Sequence, residues 1–257
     1  MIRTFFHLEN RSFLVKTWKL VFFLNTQLLI LYAESPVVSK INFGPIQFTS
    51  IQNGESNRRY IWLHGDEKTA KMAAEYHITK YLGTAFLINC EERVVRIDDL
   101  RLDPNRIFSD LGVKNNLLKY HPQASKKKRL DIINLLNIER DHFLSKLNIP
   151  DGGILIALHN NSRGYSIDSE LKKATDYSIK SNENRHDFFL CTDERDYKKL
   201  ALSPFNVVFQ KNQNKNDDGS LSNFISKEGI RYINIEVRLG WLSQQKKMLK
   251  YLEENIP

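Results

Sequence analysis

Residues 61–67 read Ile-Trp-Leu-His-Gly-Asp-Glu, and this stretch decides how the rest of the sequence is interpreted. Its apolar beginning predicts a buried strand, which leads into a loop that carries His64 and Glu67 three residues apart. Imidazole and carboxylate are both zinc ligands, and a catalytic zinc takes three protein ligands and keeps one position open. Alone, the pair is a weak signal, and a surface histidine beside a helix-capping glutamate is the alternative interpretation.

The composition is that of an ordinary soluble globular protein. The chain has 257 residues, of which 41% are hydrophobic and 26% are charged, enough for one large α/β domain with a sizeable core. The formal net charge of +8 is partly local, because residues 126–129 form a basic run. No aromatic or glycine motif for nucleic acid accompanies this run, so we expect a solvated helix start and no nucleic-acid partner.

The N-terminal segment has the pattern of a targeting sequence. Basic residues precede a charge-free run of fourteen residues at 20–33, which is short for a membrane helix of about 20 residues and suits a signal-peptide core. We predict that residues 1–35 are a signal peptide or an N-terminal anchor. Residues 36–257 would then form an exported domain, either periplasmic or secreted. In an oxidising compartment Cys90 and Cys191 would either pair or remain buried free thiols.

Apolar runs alternate with helical patterns along the remaining chain. The patterns predict strands at 40–51, 60–63, 84–90, 154–158, 188–190, 206–209 and 232–237, and helices at 68–82, 126–147, 220–227 and 241–254. Gly83 is expected to end the first helix as a C-cap. The alternation predicts an α/β fold with a mixed, mostly parallel central sheet, helices on both of its faces and a single domain.

His159 has the best setting of the histidines for a third metal ligand. It follows the predicted strand 154–158 at the point where a loop begins. In open α/β sheets such strand ends border the crevice in which ligands bind. A histidine in such a place also occurs as an ordinary core or loop residue, so the assignment depends on the other motifs.

Glu236 is the candidate general base. Residues 232–238 alternate, with apolar side chains on one side and Asn234, Glu236 and Arg238 on the other. A carboxylate on a sheet that is covered on both faces is costly unless it is paired or bound to something. Glu236 therefore either forms a salt bridge with Arg238 on an edge strand or serves as a base beside a metal-bound water.

Asn105 and Arg106 form the fourth motif, within a stretch Asp-Pro-Asn-Arg that signals a turn. In a cleft, a guanidinium binds a substrate carboxylate through two hydrogen bonds or polarises a carbonyl group. The neighbouring asparagine donates to the same end of a substrate.

With these four motifs in chain order, residues 55–255 resemble the zinc carboxypeptidase-like superfamily. Its order is H-x-x-E, N-R, H and a glutamate on a late strand, here His64 with Glu67, Asn105 with Arg106, His159, and Glu236. The His-Gly-Asp-Glu stretch resembles the metallocarboxypeptidase branch, which includes amidases that trim peptidoglycan peptides. Residues 103–108 and 158–160 look more like the succinylglutamate desuccinylase–aspartoacylase branch, which removes acyl groups from amino acids.

The resemblance implies a zinc hydrolase. It implies one Zn²⁺ per chain, held by His64, Glu67 and His159, with Glu236 as the general base. The substrate would be a small peptide or an N-acyl amino acid, cleaved at an amide bond near a free carboxylate. For an exported protein, cell-wall or environmental peptides suit this chemistry best. A non-catalytic domain that binds a peptide or glycan in the same cleft is the remaining alternative.

The resemblance also implies substrate contacts along the cleft. Arg106 would stabilise the oxyanion or hold the substrate carboxylate, together with Asn105. The family has a further arginine upstream of this pair, which here would be Arg96 or Arg101. Carboxypeptidases usually grip the substrate with a tyrosine on a loop before the late glutamate. No tyrosine occupies that stretch here, and Tyr165 or Tyr232 would substitute for it.

Overall fold

The computed structural model describes residues 35–161, 164–211 and 217–257. Residues 1–34 of the predicted signal peptide or anchor lie outside these ranges. Residues 36–257 form one compact unit. Within the described ranges no helix is long and apolar enough to span a bilayer.

Eleven strands occur in the described part of the chain: β1 Val37–Phe43, β2 Ile46–Asn53, β3 Arg58–Trp62, β4 Gly83–Ile88, β5 Val95–Ile97, β6 Leu100–Leu102, β7 Ile154–Asn161, β8 Asp176–Ser178, β9 Phe188–Cys191, β10 Asn206–Phe209 and β11 Arg231–Arg238. The helices are α1 Lys68–Ile78, α2 Asp110–Tyr120, α3 Lys126–Leu147, α4 Ile167–Leu171, α5 Glu194–Leu200, α6 Leu221–Lys227 and α7 Leu242–Asn255. A single 3₁₀ turn spans Pro104–Arg106.

The mixed central sheet predicted from the sequence is confirmed. Its strand order is β1-β2-β4-β3-β7-β11-β9-β10-β8, and β5 and β6 form a separate hairpin. The central strands β4, β3, β7 and β11 run parallel, whereas β9 pairs antiparallel with β11. Every residue of β3, β4 and β7 is buried, as expected for parallel strands covered on both faces.

Helices cover both faces of the sheet. Asn160 of β7 bonds to Gln245 of α7, and its side-chain oxygen accepts from the backbone of α1, so α1 and α7 lie on the face of Asn160. Successive strand residues point to opposite faces, so His159 faces the other side. There α3 packs on the sheet, with Phe143 stacked on Phe43 at a ring distance of 4.9 Å.

Three local predictions differ from the structure. The first helix ends at Ile78, and Gly83 instead starts β4 with φ 151°, because β4 must begin there to pair with its neighbours. Strands β7 and β11 run further than predicted, because they pair with each other up to Arg238 and Asn161. The sequence does not predict helix α2, because its apolar residues show only a weak helical periodicity.

Both cysteines lie in the described part and are free thiols. Cys191 is buried and Cys90 is half-buried. Cys90 and Cys191 therefore do not form the disulfide that an oxidising compartment would allow.

A polar cluster of the buried Arg58, Tyr60 and His77 with the partly buried Glu253 joins β3 to the two helices on its face. Glu253 of α7 accepts hydrogen bonds from Tyr60 and from His77 of α1, the latter at 2.8 Å, and lies 3.2 Å from Arg58. Burial acts to raise the pKa of Glu253, but the hydrogen bonds from His77 and Tyr60 and the charge of Arg58 hold it below its usual value. The cluster therefore stabilises the folded state while Glu253 is ionised.

We expect Glu253→Gln to lower the free energy of unfolding at pH 7 by about 2 kcal/mol, the scale of a hydrogen bond to a charged group. Because the pKa is lower in the folded state, this contribution is fully present above the unfolded pKa of about 4.3 and is lost as the pH falls through the folded value. Urea unfolding at several pH values should show the gap between parent and variant closing only in acid. Glu254→Gln, which removes an exposed pair with Lys250, is the control and should change little.

Candidate metal centre

The end of β3 and the start of α1 carry the first two candidate ligands. His64 follows β3 by two residues, and Glu67 is the N-cap residue of α1. Gly65 lies between them against the chain at Cys90, where a Cβ atom would be 2.1 Å from the Cys90 carbonyl oxygen. Only glycine allows this approach, which holds the turn in place.

Three candidate ligands converge on the cavity side of the sheet. Glu67 Oε1 lies 2.9 Å from His64 Nδ1, and Glu67 Oε2 lies 3.0 Å from His159 Nδ1. One ligand atom from each of these residues falls within 4.8 Å of the others. All three side chains are buried. Residues separated by 92 positions in the chain are thus brought to one point.

Glu67 is a buried carboxylate with four partners. Besides the two imidazoles, it accepts from the backbone N–H of Asn160 at 3.1 Å and from Arg93 at 2.9 Å. Burial acts to raise the pKa of Glu67, but the charges and hydrogen bonds of His159 and His64 lower it well below its usual value. Glu67 is therefore an anion, and it does not serve as a side-chain cap of α1.

Asp103 orients His64 from the other side. Its Oδ1 lies 2.8 Å from His64 Nε2 and also accepts from the backbone N–H of Asn105. Burial lowers the pKa of His64, but the hydrogen bonds to Asp103 and Glu67 raise it by more, so that the pKa rises to about 9. A carboxylate behind a ligating histidine fixes the ring so that its other nitrogen faces the metal.

The donor set suits a catalytic zinc ion. Two imidazoles and one carboxylate form a known three-ligand zinc set that leaves one position for water or substrate. The three residues also line a cavity of about 550 Å³. A substrate in this cavity could reach the open coordination position of a bound metal ion. The chemistry of the three residues and the second carboxylate behind His64 therefore both fit a metal ion.

Glu236 lies beside these residues without a salt-bridge partner in the described ranges. It pairs across the sheet with His159, lines the cavity and accepts one hydrogen bond from Asn234 at 3.0 Å. Burial raises its pKa to about 7, with the charge of His159 acting in the opposite direction. The alternative pairing with Arg238 is excluded, because Arg238 bonds to Asp187 at 2.8 Å.

Asn105 and Arg106 reach the same cavity from the 3₁₀ turn. The side-chain oxygen of Asn105 accepts from the backbone N–H of Leu221 at 2.9 Å, so this residue also holds the start of α6. Arg106 is half-buried and its Nη2 lies 3.8 Å from Asp218. This separation leaves the guanidinium available to another anion.

Arg93, which the sequence does not single out, lines the cavity and contacts Glu67, whereas the predicted Arg96 and Arg101 do not line it. Arg96 and Arg101 are exposed and face each other across the β5–β6 hairpin, outside the cavity lining. Arg93 lies just before this hairpin and lines the cavity. Its position follows from the hydrogen bond of 3.0 Å between Gly65 N and Glu92 O, a tertiary contact that the spacing of residues does not reveal.

Tyr165 and Tyr232 both line the cavity. The Tyr165 hydroxyl donates to Glu170 at 2.8 Å. Burial and the nearby carboxylates Glu236 and Glu170 raise the pKa of Tyr165, so its hydroxyl remains protonated. The structure thus brings together His64, Glu67, Asn105, Arg106, His159, Tyr165 and Glu236 and leaves Arg96 and Arg101 apart.

No protein-family model matches the chain, and no curated protein matches it. Its fold aligns with a solved aspartoacylase family protein from Mesorhizobium loti at 13% identity and a TM-score of 0.38, covering 85% of this chain and 70% of that one. It also aligns with bovine thrombin-activatable fibrinolysis inhibitor, solved with tick carboxypeptidase inhibitor, at 9% identity and a TM-score of 0.41, covering 94% and 97%. Neither likeness supports an inference about chemistry, which rests on the geometry of the site.

We expect Asp103→Asn to weaken zinc binding about 10- to 100-fold, the usual effect of losing a carboxylate behind a ligating histidine. The amide keeps the shape of Asp103 but removes the charge that orients His64. Competition with a chromophoric chelator measures the affinity. Asp66→Asn, at a half-exposed cavity residue without contact to the histidines, is the control. Equal affinities of Asp103→Asn and the parent would contradict the role of Asp103.

Proposed function

We propose that this protein is a zinc-dependent hydrolase that cleaves an amide bond near a free carboxylate in a small peptide. The observation that carries this proposal is the convergence of His64, Glu67 and His159 on a cavity that also contains Glu236. Structural ion pairs also bring histidines and carboxylates together. A buried carboxylate facing such a cluster without a cation of its own is better explained by a catalytic role.

His64, Glu67 and His159 would hold the metal ion. When bound, zinc would act as a Lewis acid on a carbonyl group and lower the pKa of a water molecule to about 7. The burial of all three side chains keeps competing water away and strengthens their interaction with a cation.

Glu236 would take the proton of the attacking water and pass it to the leaving amine. A general base works best when its pKa lies near the operating pH, and burial raises the pKa of Glu236 to about 7. The hydrogen bond from Asn234 fixes the orientation of the carboxylate. Its second oxygen is then free to face the cavity.

Arg93 and Arg106 would supply positive charge at two points of the cavity. Arg106, with its loose contact to Asp218, would bind the substrate carboxylate in the bidentate manner of guanidinium groups. Arg93 contacts the ligand Glu67 and would stabilise the negative charge that develops on the carbonyl oxygen. Asn105 would position the same end of the substrate as Arg106.

We expect Glu236→Gln to lower kcat roughly 10²-fold or more, because the amide cannot accept the proton. Its zinc content should match that of the parent, since Glu236 is not proposed as a ligand. Hydrolysis of a panel of acylated dipeptides and N-acyl amino acids, measured together with metal content, tests both statements. His159→Ala should lose metal and activity together.

The panel also separates the alternatives. Full activity of Glu236→Gln on a substrate that the parent cleaves would disprove the proposed base. Cleavage of N-acyl amino acids but not of peptides would identify a deacylase. Binding of peptides by zinc-loaded protein without any cleavage would identify a non-catalytic binding domain.

We expect Arg93→Met to lower kcat/KM by about 10²-fold, the effect of removing one group that stabilises an oxyanion. Arg96→Met is the matched control, because Arg96 is exposed on the neighbouring hairpin and lies outside the cavity. If both variants lost activity equally, the decrease would reflect the hairpin and not the guanidinium of Arg93.

A further inference from the structure

Residues 111–130 carry much of the positive charge of the chain. They include six lysine or arginine residues and no aspartate or glutamate, whereas the whole chain has a formal net charge of +8. They form most of α2, the loop after it and the first turn of α3. None of these residues, all of which the structure describes, lines the cavity. The basic run at 126–129 is therefore part of a larger cationic region that the proposed hydrolysis does not use.

The β5–β6 hairpin adds two arginines to this region. Arg96 and Arg101 lie directly opposite each other and are both exposed. The other residues of the two strands are buried, so both arginine side chains lie on the outer face of the hairpin. The Arg101 guanidinium lies 5.6 Å from the centre of the Tyr120 ring, and Lys119 Nζ lies 5.2 Å from the same centre. These contacts connect the hairpin to the end of α2.

Two further contacts join the hairpin to the start of α3. The backbone N–H of Arg101 donates to Nε2 of His121, in the loop between α2 and α3, at 2.7 Å. Lys128 Nζ lies 3.5 Å from Asp99 at the tip of the hairpin. Five exposed cations around these contacts have no salt bridge with another described residue. We call these five the basic surface: Arg96, Arg101, Lys119, Lys126 and Lys127.

The basic surface costs the folded protein stability. Like charges directly opposite on two strands are destabilising, and Arg96 faces Arg101 in this way. A helix favours acidic residues in its first turn, yet α3 begins with three lysines and an arginine and has no acidic residue there. Two separate elements thus carry unfavourable positive charge at one place. Such departures from local preference are typical of functional sites, and an anionic partner would offset both.

The basic surface lies at the edge of the sheet where the cavity opens. Helix α3 ends at Leu147, whose carbonyl oxygen accepts from Arg59 near the start of β3. It therefore begins near the other end of the strands, where His64 follows β3. The hairpin is also the connection between Arg93 and Asp103, which both contact candidate metal ligands. A partner on the basic surface would be held beside the cavity.

We propose that the basic surface binds a linear anionic polysaccharide. Exposed ion pairs are weak individually, so cations spread over two elements suit a chain that presents many carboxylate groups in succession. Guanidinium groups bind such carboxylates through two hydrogen bonds. The N-terminal pattern predicts an exported domain, for which polysaccharides are available polyanions. This proposal goes beyond the proposed hydrolysis and does not depend on it.

Other polyanions suit the basic surface less well. Proteins that bind single-stranded nucleic acid stack the bases on aromatic side chains. The ring at this surface, that of Tyr120, is half-buried and has two cations over it. A lipid bilayer at this edge of the sheet would also lie across the cavity. An extended polysaccharide can contact the cations one after another and leave the cavity open.

Fluorescence anisotropy with labelled polygalacturonate, on the purified full chain, tests the proposal. We expect binding that weakens as salt is added, because exposed charges are screened. Lys119→Gln combined with Lys127→Gln should weaken binding about tenfold, since one exposed ion pair contributes up to about a factor of five. Changing the same two lysines to arginine keeps the charge and should preserve binding. No binding of polygalacturonate by the parent would overturn the proposal.

Lys199→Gln combined with Lys247→Gln is the matched control. Both lysines are exposed, on α5 and α7, and have no salt bridge with another described residue. This variant changes the net charge by the same amount at a different place, and it should bind polygalacturonate like the parent. If both double variants weakened binding equally, the effect would be one of net charge and the proposed surface would be wrong.

Two competitors separate the classes of partner. Single-stranded DNA and vesicles that contain phosphatidylglycerol are compared with polygalacturonate at equal concentrations of negative charge. Tighter binding of either competitor would overturn the assignment to a polysaccharide. The variant with Lys119→Gln and Lys127→Gln should also keep the parent kcat/KM on N-acylated dipeptides, because the basic surface lies outside the cavity. Loss of that activity would contradict a surface separate from the site.

Discussion

The rest of the site depends on the buried carboxylate of Glu67. An ionised carboxylate out of water is costly unless charges and hydrogen bonds compensate it. Two imidazoles, a backbone N–H and a guanidinium do so here. These partners come from three places in the chain, so the register of β3 against β7 and the turn at Gly65 must both be correct before Glu67 can be buried. The candidate metal centre therefore depends on the correct pairing of these strands.

The sequence was informative where local pattern and final position coincide. The strand before His64, helix α3 and strand β10 are regular, strongly patterned elements, and their predicted positions agree with the structure to within two residues at each end. Glu236 could be found because alternation along a strand determines which face a side chain occupies. The sequence does not reveal that the neighbouring Arg238 pairs with Asp187, 51 positions away. Only the tertiary fold brings these two residues together.

The residues whose positions the sequence predicts wrongly are held in place by tertiary contacts. The sequence does not distinguish Arg93 from Arg96 and Arg101, because all three lie within nine residues. The hydrogen bond from Gly65 to Glu92 places Arg93 beside Glu67, whereas the other two lie on the β5–β6 hairpin. Gly83 was taken for a helix cap because glycine favours positive φ in both settings. Its positive φ serves the first residue of a strand instead. Helix α2 is held by contacts such as that of Gly112 against Gly219, where a Cβ atom would lie 2.4 Å from a backbone carbon.

The reversal of strand direction at β9 determines which parts of the chain line the two ends of the cavity. His64, His159 and Glu236 sit toward the carboxyl ends of the parallel strands β3, β7 and β11, or just beyond them. Gln210 follows β10, which runs the other way, so it approaches the cavity from the opposite edge of the sheet, together with Glu170. The candidate metal ligands and Glu236 therefore come from the parallel strands or the turns that follow them, whereas Gln210 reaches the cavity from a strand of opposite direction. A substitution at Gln210 would therefore alter that wall of the cavity without changing the strands that carry His159 and Glu236.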